Sequence, residues 1–176
     1  MAKLSTTLLA ATALIALAGC AKKRPAVLPP APSDAATEAP AYGGSGGGDA
    51  NGAIVPGSDA DFRRSVSSNT VNFAVDAYDI DPTARAILDS QVGWLQRNGQ
   101  VRVTVEGHCD ESGTREYNLA LGDRRANAAK NYLVARGIAA ERITTISYGK
   151  ERPLALGSDA DAYAQNRRAV TVVLGR

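Results

Sequence analysis

The chain has 176 residues, with 20 Lys+Arg against 18 Asp+Glu, one His, two Cys, 17 Gly and eight Pro. A formal charge of +2 with 5% aromatics leaves no basic excess for strong nucleic-acid binding. One His and two Cys exclude an all-His/Cys four-ligand zinc site within one chain, and the length allows one domain plus appendages.

Met1-Ala2-Lys3 gives a short positive head, and residues 8–18 form an uncharged run rich in Leu and Ala. As a helix that run rises roughly 16 Å, about half a hydrocarbon core, so it reads as a secretory leader over residues 1–19. Leu17-Ala18-Gly19-Cys20 resembles the lipobox of bacterial lipoproteins. That resemblance implies cleavage before Cys20, S-diacylglycerol on its thiol and an N-palmitoyl chain on its new amino group. Each buried CH₂ contributes about 0.8 kcal/mol, so three chains hold the protein in lipid. Ala21 after the cysteine implies sorting to the outer membrane. The competing reading is an ordinary signal peptide that ends near a cysteine.

Residues 20–58 read as a lipidated cysteine and a linker. They carry six of the eight prolines and the run Gly43-Gly44-Ser45-Gly46-Gly47-Gly48, with few aliphatic residues. No core can form there, and disorder is expected. As a coil, residues 21–58 average about 35 Å end to end and reach on the order of 130 Å when stretched.

Residues 59–176 alternate strand and helix signals. Val71, Phe73 and Val75 predict a first strand by their alternation. Asp81-Pro82 reads as an N-cap with Pro at the first helical position, and Ala84, Ile87, Leu88, Val92 and Leu95 continue the helix until Asn98-Gly99. Val101, Val103 and Val105 predict a half-buried second strand. A polar loop over 107–113 leads to Thr114, which caps a helix ending before Gly137. Residues 143–148 form a third strand, Ser158 caps a short helix through Asn166, and residues 167–174 form the last strand. The order βαβαβαβ predicts an α/β sandwich, a four-stranded mixed sheet covered by helices.

The densest polar stretch is Glu106-Gly107-His108-Cys109-Asp110-Glu111-Ser112-Gly113-Thr114. Neighbours on an extended chain point to opposite sides, so His108 and Cys109 do not converge as a catalytic pair. Cys109 reads as a small buried residue and His108 as a hydrogen-bonding loop residue. Glu106, His108 and Asp110 lack the spacing of a familiar metal set.

On the helix that follows, Leu119, Gly122, Ala126, Ala129 and Leu133 fall within about 80° and form the expected buried stripe. Asn118 and Arg125 lie about 20° apart on one flank of it, about 10 Å along the axis. Asn118 sits in the first turn, where backbone N–H groups favour negative charge. With Asp110 just ahead, two readings stand. Either a zwitterionic ligand lies between the guanidinium and the carboxylate, or Arg125 and Asp110 pair with each other and pin the loop.

Several longer motifs recur in order: Phe73-x-x-Asp76-x-Tyr78-Asp79-Ile80; the stretch from Val103 to Thr114; Glu116-Tyr117-Asn118-x-x-Leu121-Gly122-x-Arg124-Arg125-Ala126; Ser147-Tyr148-Gly149-Lys150-Glu151-x-Pro153; and Asn166-Arg167-Arg168-Ala169-Val170. On these residues the chain resembles the OmpA-like domain family, in its lipid-anchored form. The resemblance implies non-covalent binding of the peptidoglycan stem peptide through meso-diaminopimelate. It puts the key aspartate on Asp110 and the key arginine on Arg125, with supporting contacts from Asp76, Thr114 and Asn118. Relatives often carry Asp or Gly directly after the first-strand Phe, where this chain has Ala74.

The resemblance further implies TolB and TolA as partners, in an envelope system that acts during constriction. The domain would then face the periplasm from the outer membrane, with no catalytic residue, metal or cofactor. The competing classes are a peptidoglycan-cleaving enzyme, a flagellar-stator anchor and a barrel porin. They would need, respectively, a carboxylate pair or metal water, a spanning helix with an intramembrane acid, and many strands before residue 59.

Overall fold

The computed structural model describes residues 54–175. The expected leader, Cys20 and the linker up to residue 53 lie outside the described residues. The elements run α1 (Asp59–Ser65), β1 (Thr70–Asn72), α2 (Pro82–Arg97), β2 (Arg102–His108), α3 (Arg115–Ala135), β3 (Ile143–Gly149), α4 (Ala160–Asn166) and β4 (Arg168–Gly175), with a 3₁₀ turn at Ala140–Arg142 before β3.

The four strands form one mixed sheet in the order β1-β4-β2-β3, as the α/β reading predicts. β2 and β3 pair in parallel, whereas β4 pairs antiparallel with both β1 and β2. A parallel pair needs a crossover, and α3 supplies it.

Local chemistry sets most of the boundaries. The Asp81 carboxylate accepts from the Ala84 N–H at 2.6 Å, Pro82 occupies the first turn, and the helix ends at Asn98. Thr114 Oγ1 accepts from the Tyr117 N–H at 3.2 Å and starts α3. Gly137, at φ +94°, turns the chain out of it.

Val71, Val103, Val105, Ile143, Ala169 and Val173 bury one face of the sheet against α1, α2 and α3. From the helices come Phe62, Leu88, Trp94, Leu95, Ala126, Ala129 and Leu133. Burying each large side chain contributes roughly 1.5–3 kcal/mol. Where α3 crosses β2 the backbones nearly touch: a Cβ at Gly107 would overlap the Gly122 carbonyl. Only glycine permits that approach.

Four local expectations are corrected. A helix, α1, precedes the first strand. Its Phe62 meets Trp94 edge to face with ring centroids 4.9 Å apart, and one buried aromatic in seven residues shows no helical period. β1 stops at Asn72 rather than running to Val75, because the chain turns at 74–77 and Asp76 takes φ +53°. β2 is more than half buried, since Thr104 and His108 on its second face are also covered. Finally, Asp159 rather than Ser158 caps α4, accepting from the Ala162 N–H at 2.8 Å. Ser158 instead donates to Glu111 at 2.6 Å.

Candidate functional site

The end of β2, the start of α3 and the turn after β1 enclose a cavity of about 530 Å³. All five residues singled out in the sequence line it: Asp76, Asp110, Thr114, Asn118 and Arg125. Arg167, Tyr117 and Tyr163 line it as well, and the site reading did not include them.

Asp110 follows β2 and is held from two sides. One carboxylate oxygen accepts from the Ser112 N–H at 3.0 Å, and the other accepts from Arg167 Nη1 at 3.2 Å. The ion-pair partner of Asp110 is therefore Arg167 and not Arg125. Arg167 Nε donates to the Phe73 carbonyl at 3.1 Å, while its Nη2 makes no hydrogen bond among the described residues. The signal for Arg167 lay in the Asn166-Arg167-Arg168 triplet, which brings a cation to the start of β4 beside the end of β2.

Arg125 is fully buried, inside the stripe rather than on its flank. Its Nε donates to the Ala77 carbonyl at 2.9 Å and its Nη2 to the Ala74 carbonyl at 3.1 Å. Nη1 donates to the His108 carbonyl at 2.9 Å and lies 3.4 Å from Cys109 Sγ. A helical projection that counts only apolar residues cannot see this, because the partners are backbone carbonyls of the turn after β1 and the end of β2. Burial pulls the Arg125 pKa down, and the neighbouring Cys109 and Asp110 oppose that shift. Ala74 takes part through its carbonyl, which any residue in its place would offer.

Asn118 is also buried. Its amide donates to the Ser112 carbonyl at 2.6 Å and to the Thr114 carbonyl at 3.0 Å, closing the 110–114 loop over the helix end. Its own N–H bonds to the Thr114 carbonyl rather than standing open to a ligand. Asp76 accepts from the Tyr117 hydroxyl at 3.1 Å, which pushes the Tyr117 pKa up. Lys150 Nζ ties the same loop by donating to the Glu111 and Gly113 carbonyls. The Glu111 carboxylate accepts from Ser158 and Tyr163, and both bonds lower its pKa.

His108 and Cys109 point apart, as strand neighbours must. Cys109 Sγ donates to the Asn118 carbonyl at 3.3 Å in the site, and burial pushes its thiol pKa up, which keeps it protonated. The His108 ring turns to the other sheet face, with its centroid 5.5 Å from that of Tyr148. His108 is not the hydrogen-bonding loop residue expected. Neither ring nitrogen has a hydrogen-bond partner among the described residues, and Glu106 stands 3.6 Å away. No group of three His, Cys, Asp or Glu among the described residues is placed to hold a metal ion. What the cavity presents is two carboxylates and two guanidinium groups among several hydroxyls, a set that suits a ligand bearing both charges.

The OmpA family model matches residues 72–167 of this chain. A peptidoglycan-associated lipoprotein of Rhizobium meliloti is 47% identical over 161 residues, which cover 92% of this chain and 83% of that protein. One from Mesorhizobium japonicum is 44% identical over 168 residues, covering 96% and 91%. Among solved structures, the peptidoglycan-associated lipoprotein from Burkholderia pseudomallei superposes with a TM-score of 0.59 at 38% identity, covering 61% of this chain and 91% of that one. On the matched family model and these long, closely related alignments, the chain belongs to the OmpA family.

Proposed function

We propose that the chain is a lipid-anchored outer-membrane protein that holds peptidoglycan non-covalently through diaminopimelate. The observation that carries this is a single cavity gathering Asp76 and Asp110 with Arg125 and Arg167. The free end of meso-diaminopimelate carries an ammonium and a carboxylate on one carbon. The ammonium goes to Asp110, and the carboxylate faces Arg167 Nη2 and the buried charge of Arg125. Charge-assisted contacts of this kind are worth roughly 1.5–3 kcal/mol each, enough with backbone donors for affinity near the micromolar range, about −8 kcal/mol.

Cys20 supplies the anchor and residues 21–58 the reach, so that tethering raises the effective concentration and a modest, releasable affinity is enough. The names of the relatives fit a peptidoglycan-associated lipoprotein. By family resemblance TolB and TolA are its protein partners, and the domain faces the periplasm. The site needs no catalytic group: it binds and releases.

The test is retention of the purified chain by isolated sacculi, with competition by a diaminopimelate-containing stem peptide. Retention that this peptide displaces is the expected result. Failure to sediment with sacculi, or sedimentation that excess peptide leaves unchanged, would overturn the reading.

A further inference from the structure

His108 joins the two faces of the sheet. Its ring is 2% exposed on the face away from the cavity, while its carbonyl accepts from Arg125 Nη1 at 2.9 Å on the cavity side. The N–H of Cys109 donates to the Gly149 carbonyl at 2.8 Å, and Asp110 follows directly. Both charges of the site therefore hang from one stretch of backbone, Arg125 by a hydrogen bond and Asp110 through the chain. That stretch is also where the ladder is irregular. The register of β2 with β3 shifts between Gly107 and His108, so that His108 faces Gly149 instead of Tyr148. An irregularity of this kind disrupts the ladder locally and re-aims the side chains beside it.

The ring is buried without a polar partner. Neither nitrogen is hydrogen-bonded among the described residues, and the Glu106 carboxylate on the same strand face stands 3.6 Å from Nε2, beyond hydrogen-bond reach. Tyr148 covers the ring from β3, and the Arg152 guanidinium lies 3.8 Å from the centroid of Tyr148. From β4 comes Arg168, itself buried and donating to the Arg152 carbonyl at 3.2 Å. Burial and the Arg168 charge resist a proton on the ring, whereas Glu106 and the Arg152 carbonyl favour one. Once the ring is charged, the gap to Glu106 can close to a charge-assisted hydrogen bond of about 2.8 Å. Closing it displaces His108 and the backbone that carries it.

We infer that His108 is a positioning residue whose protonation releases the site: drawn toward Glu106, the ring shifts the end of β2, slackens the carbonyl on Arg125 and moves Asp110, so the grip on peptidoglycan weakens in mild acid. The inference rests on the peptidoglycan reading of the cavity. By linkage, a bound ligand then lowers the proton affinity of the ring by the same factor.

The experiment is calorimetric titration of the full chain in detergent with a diaminopimelate stem peptide at about pH 7.5 and about pH 5.5, with circular dichroism confirming the folded state at both. The wild-type chain should bind about fivefold more weakly at the lower pH. His108→Phe keeps the backbone carbonyl and should bring the ratio close to one. Glu106→Gln keeps the imidazole and removes the charge that attracts it, and should also reduce the ratio. His108 is the one histidine of the chain, so its ring signal can be followed by proton NMR without assignment, and saturating peptide should move its titration to lower pH. Equal wild-type affinity at the two pH values would overturn the release. So would either variant keeping the full wild-type ratio, a ring titration that the peptide leaves in place, or a fall in binding that only follows loss of folded protein. A wild-type chain that binds the peptide at neither pH would remove the peptidoglycan reading and the release with it.

Discussion

Trp94 and Arg125 are among the largest fully buried side chains of the domain, and they hold their regions by different physics. Trp94 packs hydrocarbon against Phe62, with one polar tip donating to Asp61 at 3.2 Å. Arg125 donates to three carbonyls, two in the turn after β1 and one at the end of β2. Hydrophobic packing is non-directional and tolerates substitutions that conserve volume. A buried guanidinium is directional, and every partner it loses becomes an unsatisfied carbonyl. The apolar region thus supplies stability, while the polar region fixes loop positions around a cavity before any ligand arrives.

The seam between the two regions should be the most sensitive point. Gly107→Ala forces α3 off β2 and is expected to cost about 3 kcal/mol or more, read as a lowered urea midpoint. Next comes the direct contrast. Arg125→Met should cost about 3–5 kcal/mol and abolish sacculus binding, because three carbonyls lose their donor. Leu88→Ala should cost about 2–5 kcal/mol yet leave binding per folded molecule unchanged. Arg125→Met with an unaltered melting temperature would show that the loops do not depend on the guanidinium.

A smaller stability effect is expected at the pair in the cavity. Asp110→Asn should lower stability by about 1 kcal/mol while weakening wall binding tenfold to a hundredfold. A fall in binding that merely tracks unfolding would make Asp110 a brace for the loop.

The smallest effect concerns pH. Burial pushes the His108 pKa below its ordinary 6.5, so the folded state binds the proton less readily than the unfolded chain. The contribution of neutral His108 is complete above about 6.5 and is lost as pH falls toward the lower folded value. Melting temperature should therefore decline on moving from about pH 7.5 to 5.5, and His108→Phe should flatten that decline. Equal slopes for the two proteins would remove His108 as the cause.

The same contrast explains what could be read from the chain. Asp81-Pro82, Asn98, Thr114 and Gly137 mark helix ends by local chemistry, and the valines of β2 mark a strand by alternation, so these features were legible. Helix α1 was not, because Phe62 is its one buried residue and its place depends on Trp94, far along the chain. Ser158 and Asp159 are both good caps, and only the presence of Glu111 beside Ser158 decides between them. The site residues could be named from motifs, but their roles could not. Arg125 projects onto the flank of the buried stripe rather than into it, because its carbonyl partners leave no trace in side-chain identity. Arg167 pairs with Asp110 across 57 residues, a proximity set by the pairing of β2 with β4.

The most direct test of the central claim varies the ligand rather than the protein, which keeps folding out of the result. Titrate the chain with a diaminopimelate stem peptide, and with the same peptide carrying lysine in place of diaminopimelate. Lysine keeps the ammonium and lacks the neighbouring carboxylate. If the cavity reads both charges, the diaminopimelate peptide should bind near the micromolar range and the lysine peptide at least about tenfold more weakly. Equal affinity for the two peptides would contradict a site built around Asp110 and the paired guanidinium groups.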